Sequence, residues 1–80
     1  MRIELKLYAS LARFMPDEKG GSGANTLEVD EGTTISDLLE ALKVPTNHIK
    51  LIFLNGIHAK ADHVLKEGDR VGVFPPVAGG

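Results

Sequence analysis

Residues 2–8 alternate. Ile3, Leu5 and Leu7 fall on one side, and Arg2, Glu4, Lys6 and Tyr8 on the other. A period of two over this length predicts a half-buried strand. Ser10 to Met15 then places Leu11 and Phe14 three apart, which suits a short helix that Pro16 stops. The segment at 16–25 is polar and glycine-rich and reads as a flexible surface loop. Its lysine precedes its glycines and a strand pattern follows them. A phosphate-binding loop has the opposite order, with the glycines leading through Gly-Lys-Ser/Thr into a helix. Thr26 to Asp30 alternates again and predicts a second strand, hairpinned to the first.

The next pattern has helical spacing. Ile35, Leu38, Leu39 and Leu42 lie at i, i+3, i+4 and i+7, one face of a helix over 35–43. Thr34 is placed to cap it, and Asp37 completes a capping box. Lys43 falls in the last turn, where positive charge is favoured. Leu51–Leu54 and Ile57–Ala59 flank Asn55-Gly56, a strong hairpin signal. Residues 65–69 read as a turn. Arg70 to Phe74 forms a last strand with Val71 and Val73 inward, and Pro75-Pro76 ends the ladder because proline has no N–H to donate. The order is β, β, α, β, short β, β, without repeat or linker. One helix across one face of a mixed sheet makes an α+β fold.

Composition narrows the functions open to this pattern. Eighty residues suit one domain with little interior to spare for a deep cavity. The chain has no cysteine, which removes disulfides, thiol catalysis and cysteine-based metal sites. Nine basic and eleven acidic residues are intermixed at a net charge of −2, so no cationic cluster suits nucleic acid. No stretch approaches the ~20 apolar residues that span a bilayer, and the alternating N-terminus is unlike a signal peptide. A cytoplasmic protein is expected. His48, His58 and His63 have spacings that fit no helical metal pair. Asp62 beside His63 lacks an accompanying nucleophile motif. No metal site and no independent enzyme are expected.

The strand order, Asn55-Gly56, Glu67-Gly68-Asp69-Arg70-Val71 and the ending Phe74-Pro75-Pro76-Val77-Ala78-Gly79-Gly80 together resemble the MoaD/ThiS sulfur carriers, and MoaD most. The resemblance implies a ubiquitin-like β-grasp domain over residues 1–74, with four to five strands packed on one main helix. Residues 75–80 would be a flexible tail ending in diglycine. It further implies a sulfur carrier that binds no cofactor and is a monomer when free. A MoeB-like, ubiquitin-activating-type adenylyltransferase would use ATP to adenylate the Gly80 carboxylate. Sulfur would then replace AMP to give a thiocarboxylate. A MoaE-like large subunit would complete molybdopterin synthase. Thiamine or another metabolite as sulfur acceptor, and a protein modifier joined through Gly80, remain alternatives.

Physical chemistry explains why such a tail has this composition. Gly79 and Gly80 carry no Cβ and pass through narrow channels. Pro75 and Pro76 have fixed φ and reduce the entropy lost on entering one. Six extended residues reach roughly 20 Å. Tyr8 and Phe74 lie opposite the core residues of their strands. In a β-grasp fold the first and last strands are neighbours, so these two rings are expected to form one exposed patch that binds the partner.

Overall fold

The computed structural model describes residues 1–15 and 24–76. The expectations for residues 16–23 of the loop and for residues 77–80, Gly79 and Gly80 included, lie outside these residues. The elements follow the expected order: β1 (Arg2–Leu7), a 3-10 helix (Ala9–Phe14), β2 (Ala24–Glu28), α1 (Ile35–Ala41), a second 3-10 turn (Thr46–His48), β3 (Leu51–Leu54), β4 (Ile57–His58) and β5 (Arg70–Phe74). They form one five-stranded sheet in the order β2-β1-β5-β3-β4. β1 runs parallel to β5, and the other neighbours are antiparallel.

Alternation in β1 becomes burial on one side only. Ile3, Leu5 and Leu7 are buried, while Arg2, Glu4 and Lys6 are exposed. Val71 and Val73 of β5 face the same way and meet Ile35, Leu38 and Leu39 of α1 in one core. A helix therefore covers one face of the sheet, and the other face carries the even-numbered residues of β1 and β5.

The capping box forms as expected: Asp37 N–H donates to Thr34 Oγ1 at 3.0 Å, and Thr34 N–H to Asp37 Oδ2 at 3.2 Å. The N–H groups of Ile35 and Ser36 donate to the carbonyls of His63 and Ala61. The β4–β5 connection thus takes up two donors that a helix start leaves open.

Two boundaries differ from expectation. The helix ends at Ala41, not at Lys43, with Leu42 as its cap. Lys43 sits past the end at φ 62°. Its N–H donates to Glu40 O, and that of Val44 donates to Leu39 O. This double bond set is the glycine-type helix stop, and it turns Val44 into the core. β2 begins at Ala24, inside the stretch read as loop, and ends at Glu28 rather than Asp30. Asn25 pairs with Leu5 and Ala24 with Lys6. Ladder formation against β1 overrides the weak strand preference of alanine and asparagine. Among the described residues no helix is long and apolar enough to cross a membrane.

Candidate functional site

The sheet face away from α1 carries an aromatic cluster at the end where β5 finishes. Tyr8 follows β1 in extended geometry, φ −96° and ψ 153°. Its N–H donates to Val73 O at 3.0 Å, which continues the β1–β5 pairing by one residue. That bond sets the Tyr8 ring beside Phe74. The two rings stack with centroids 4.0 Å apart and planes within 7°. Phe53 of β3 meets Phe74 edge-on at 5.6 Å, and His58 of β4 meets Phe53 edge-on at 5.9 Å. The two edge-on contacts match the quadrupoles of the rings.

Gly72 makes the stack possible. It lies opposite Lys6 on β1 and Phe53 on β3. A Cβ at Gly72 would stand 3.3 Å from Tyr8 Cε2 and 3.9 Å from Phe74 Cε1. The bare backbone leaves the Tyr8 ring room to lean across the strand. A shallow groove of about 430 Å³ results, lined by Tyr8, Phe53, Gly72 and Phe74 at one end, with Lys6 opposite Gly72 and with Glu4 and Arg70 farther along the same face. Lys6 Nζ stands 5.0 Å from the Tyr8 ring centroid, a cation–π distance.

The start of β5 is held by a polar network. Asn55 and Gly56 have φ of 53° and 83°, the left-handed pair that a two-residue hairpin needs. Asn55 Oδ1 accepts from Arg70 N–H at 2.9 Å, and its Nδ2 donates to Asp69 Oδ1 at 3.1 Å. Asp69 Oδ2 accepts from Lys66 N–H at 2.8 Å. The β3–β4 turn is thereby tied to the strand that leads to the tail.

Among residues singled out from sequence, Tyr8 and Phe74 are brought together as expected, but each is half-buried rather than exposed, because the two rings cover one another. Pro75 is half-buried and Pro76 exposed, directly after β5. His48, His58 and His63 are exposed on three separate elements, and Asp62 lies exposed beside His63 in the β4–β5 connection. Sequence reasoning missed Phe53, Gly72, Lys6 and Arg70 as parts of the site. Parity along each strand puts all four on the open face, but their convergence depends on which strands are neighbours.

A family model described as Mut7-C ubiquitin matches residues 1–79. SAMP1 from Haloferax volcanii is 30% identical, with a TM-score of 0.72 and 100% of both chains covered. A putative molybdopterin converting factor, subunit 1, from Pyrococcus furiosus is 27% identical, with a TM-score of 0.70, covering 96% of this chain and 99% of that one. A complex of subunits 1 and 2 of the molybdopterin-converting factor from Helicobacter pylori shares the fold at 18% identity and a TM-score of 0.61, with 100% of both chains covered. No curated protein sequence matches the chain.

Proposed function

The chain belongs to the Mut7-C ubiquitin family and has a ubiquitin-like β-grasp fold, and on that premise we infer that it is a sulfur carrier acting through the Gly80 carboxylate in molybdopterin synthesis. One observation carries the reading. The strand that runs into Pro75-Pro76 and, in sequence, on to Gly79-Gly80 ends beside a half-buried aromatic cluster on the sheet face that α1 leaves uncovered. A surface of that kind next to a reaching tail suits an enzyme that grips the domain while it works on the tail. The likeness to the Pyrococcus protein supports the choice of pathway.

In this reading a MoeB-like adenylyltransferase joins the Gly80 carboxylate oxygen to the α-phosphorus of ATP and releases pyrophosphate. Hydrosulfide, or a donor equivalent to it, then attacks the acyl carbon. The C–S bond forms as the C–O bond to AMP breaks, leaving AMP and the thiocarboxylate. The carrier itself holds no cofactor, and the catalytic groups and the ATP sit on the partner. Holding the reacting atoms in near-attack geometry is worth on the order of 7–11 kcal/mol, and the partner supplies it. The charged carrier then meets a MoaE-like large subunit through the Tyr8–Phe74 end. The Helicobacter protein, itself seen with its subunit 2, is the structural parallel.

The test is intact mass after incubation with the activating enzyme, ATP and a sulfur donor. The expected result is a gain equal to one oxygen replaced by sulfur, lost when Gly80 is deleted. An unchanged mass, with the enzyme active on a control carrier, would overturn the reading. A second reading, a protein modifier joined through Gly80 to target lysines, is favoured by the full-length likeness to SAMP1, named a small archaeal modifier protein. It shares the adenylation step and is distinguished by conjugates of higher mass.

A further inference from the structure

Asn55 carries chemistry that the tail does not use. Of the three asparagines in the chain, Asn25 precedes threonine, Asn47 precedes histidine and Asn55 alone precedes glycine. An asparagine loses ammonia when the peptide nitrogen that follows it attacks its carboxamide carbon, and glycine, without a Cβ, leaves that approach open. Asn55 and Gly56 are both exposed, and a Cβ at Gly56 would meet nothing within 4 Å. No described side chain crowds the turn at that point. The restraint comes from the carboxamide's own partners. Its Oδ1 accepts from Arg70 N–H at 2.9 Å and its Nδ2 donates to Asp69 Oδ1 at 3.1 Å, so its oxygen and its nitrogen are both fixed on the start of β5. Asp69 is pinned in turn: it is buried, and its Oδ2 accepts from Lys66 N–H at 2.8 Å. To reach the Gly56 nitrogen, the carboxamide has to leave both partners.

We propose that Asn55 is a self-modification site, and that its bonds to Asp69 and Arg70 are the latch that keeps it unreacted in the folded chain. In the reaction the Gly56 nitrogen bonds to Asn55 Cγ as the C–NH2 bond breaks. The Gly56 N–H proton leaves with the amine as ammonia, and a cyclic imide remains. Water then opens the imide. Addition at Cγ restores the peptide link and leaves an aspartate side chain. Addition at the backbone carbonyl gives isoaspartate, whose chain runs through Cγ and is one methylene longer. Overall one water is taken up and one ammonia released, with no change of oxidation state. Either product breaks the latch. Aspartate sets a carboxylate oxygen where Nδ2 faced Asp69 Oδ1, so two like charges meet at hydrogen-bond distance. Isoaspartate lengthens a two-residue turn whose geometry sets the strand pairing. The step runs one way: local opening of the hairpin frees the carboxamide, and the product keeps the hairpin from closing as before.

The full chain is incubated at mildly alkaline pH, folded or in guanidinium chloride, and followed by intact mass and by peptide mapping. The expected change is a gain equal to replacing one –NH2 by –OH, mapped to position 55, and about tenfold or more faster in the unfolded chain. Asp69→Ala, confirmed as folded by its thermal melt, converts about tenfold faster than the folded parent. Equal rates folded and unfolded, earlier conversion at Asn25 or Asn47, or a folded Asp69→Ala no faster than the parent overturns the proposal. A pair of variants reads the consequence without the reaction. Asn55→Asp lowers Tm, and adding Asp69→Asn restores it. The swapped pair again sets one carboxylate against one amide donor, while the Arg70 and Lys66 N–H groups keep their acceptors. Asn55→Asp as stable as the parent, or a double variant no more stable than Asn55→Asp, also overturns it. The folded–unfolded comparison and this pair decide the matter where Asp69→Ala does not fold.

Discussion

Tyr8 and Phe74 stack face to face at 4.0 Å, although one follows the first strand and the other ends the last. Parallel pairing of β1 with β5 brings them together, the Tyr8 N–H to Val73 O bond sets the register, and Gly72 gives the tyrosine ring its space. The stack is a product of long-range topology on a face that α1 does not cover.

Phe74→Ala separates binding from stability. The side chain contacts Tyr8 and Phe53 on the open face and lies outside the core. Loss of such aromatic contacts removes about 1 kcal/mol, which lowers Tm by roughly 4–8 °C in a domain of this size. Affinity for the activating enzyme falls by about tenfold or more, as for an anchor residue at an interface. Calorimetric titration and a thermal melt check both. Unchanged affinity with a much larger fall in Tm would assign Phe74 to the core instead.

Leu5→Ala tests the core. Leu5 is fully buried in β1, next to the central strand. Truncation leaves a cavity and costs about 2–5 kcal/mol, a large share of what a domain this small possesses. Urea unfolding is expected to show a much lower midpoint or a chain unfolded without denaturant.

Lys43→Gly is expected to stabilise the protein. Lys43 occupies the left-handed position after α1 at φ 62°, where glycine meets no Cβ penalty. Relief of that strain, about 1–2 kcal/mol, exceeds the added entropy of the unfolded chain, about 0.5–1 kcal/mol, for a net gain of roughly 0.5–1 kcal/mol. An upward shift of the urea midpoint at constant m-value is the expected reading. A downward shift would mean that the lysine side chain makes a contact that outweighs the strain.

Thr34→Ala removes the oxygen that accepts from Asp37 N–H and should lower stability by about 1 kcal/mol. Asn55→Gly keeps the turn conformation but loses the side-chain bonds to Arg70 and Asp69, for about 1–2 kcal/mol. The two sites lie on different elements and share no partner, so the double variant should show additive losses. Denaturant unfolding of the two single variants and the double variant checks this.

Local periodicity made most of the elements legible. Ile3, Leu5 and Leu7 declared β1, Thr34 and Asp37 declared the helix start, and Asn55-Gly56 declared the turn. The helix stop at Lys43 was not legible, because its signal, glycine, is missing and the chain turns there to bury Val44. The start of β2 was hidden likewise, since Ala24 and Asn25 are strand residues only by virtue of β1 beside them. In the site, Tyr8 and Phe74 could be read from parity together with the expected strand order. Phe53 was obscured within a continuous apolar run, and Gly72 has no side chain to signal a role.

By itself the sequence determined what neighbouring residues decide among themselves. Periods of two and 3.6 assign faces, a hydroxyl and a carboxylate three apart cap a helix, and proline ends a ladder, all through contacts within a few residues. The family resemblance set β5 beside β1, and tertiary structure decided that β3 lies on its other side. That placement joins Tyr8, Phe53, Gly72 and Phe74 into one groove and leaves Lys6 and Arg70 at its rim. Strand order is set by burying one common core across distant segments, and no local pattern along a single strand encodes it.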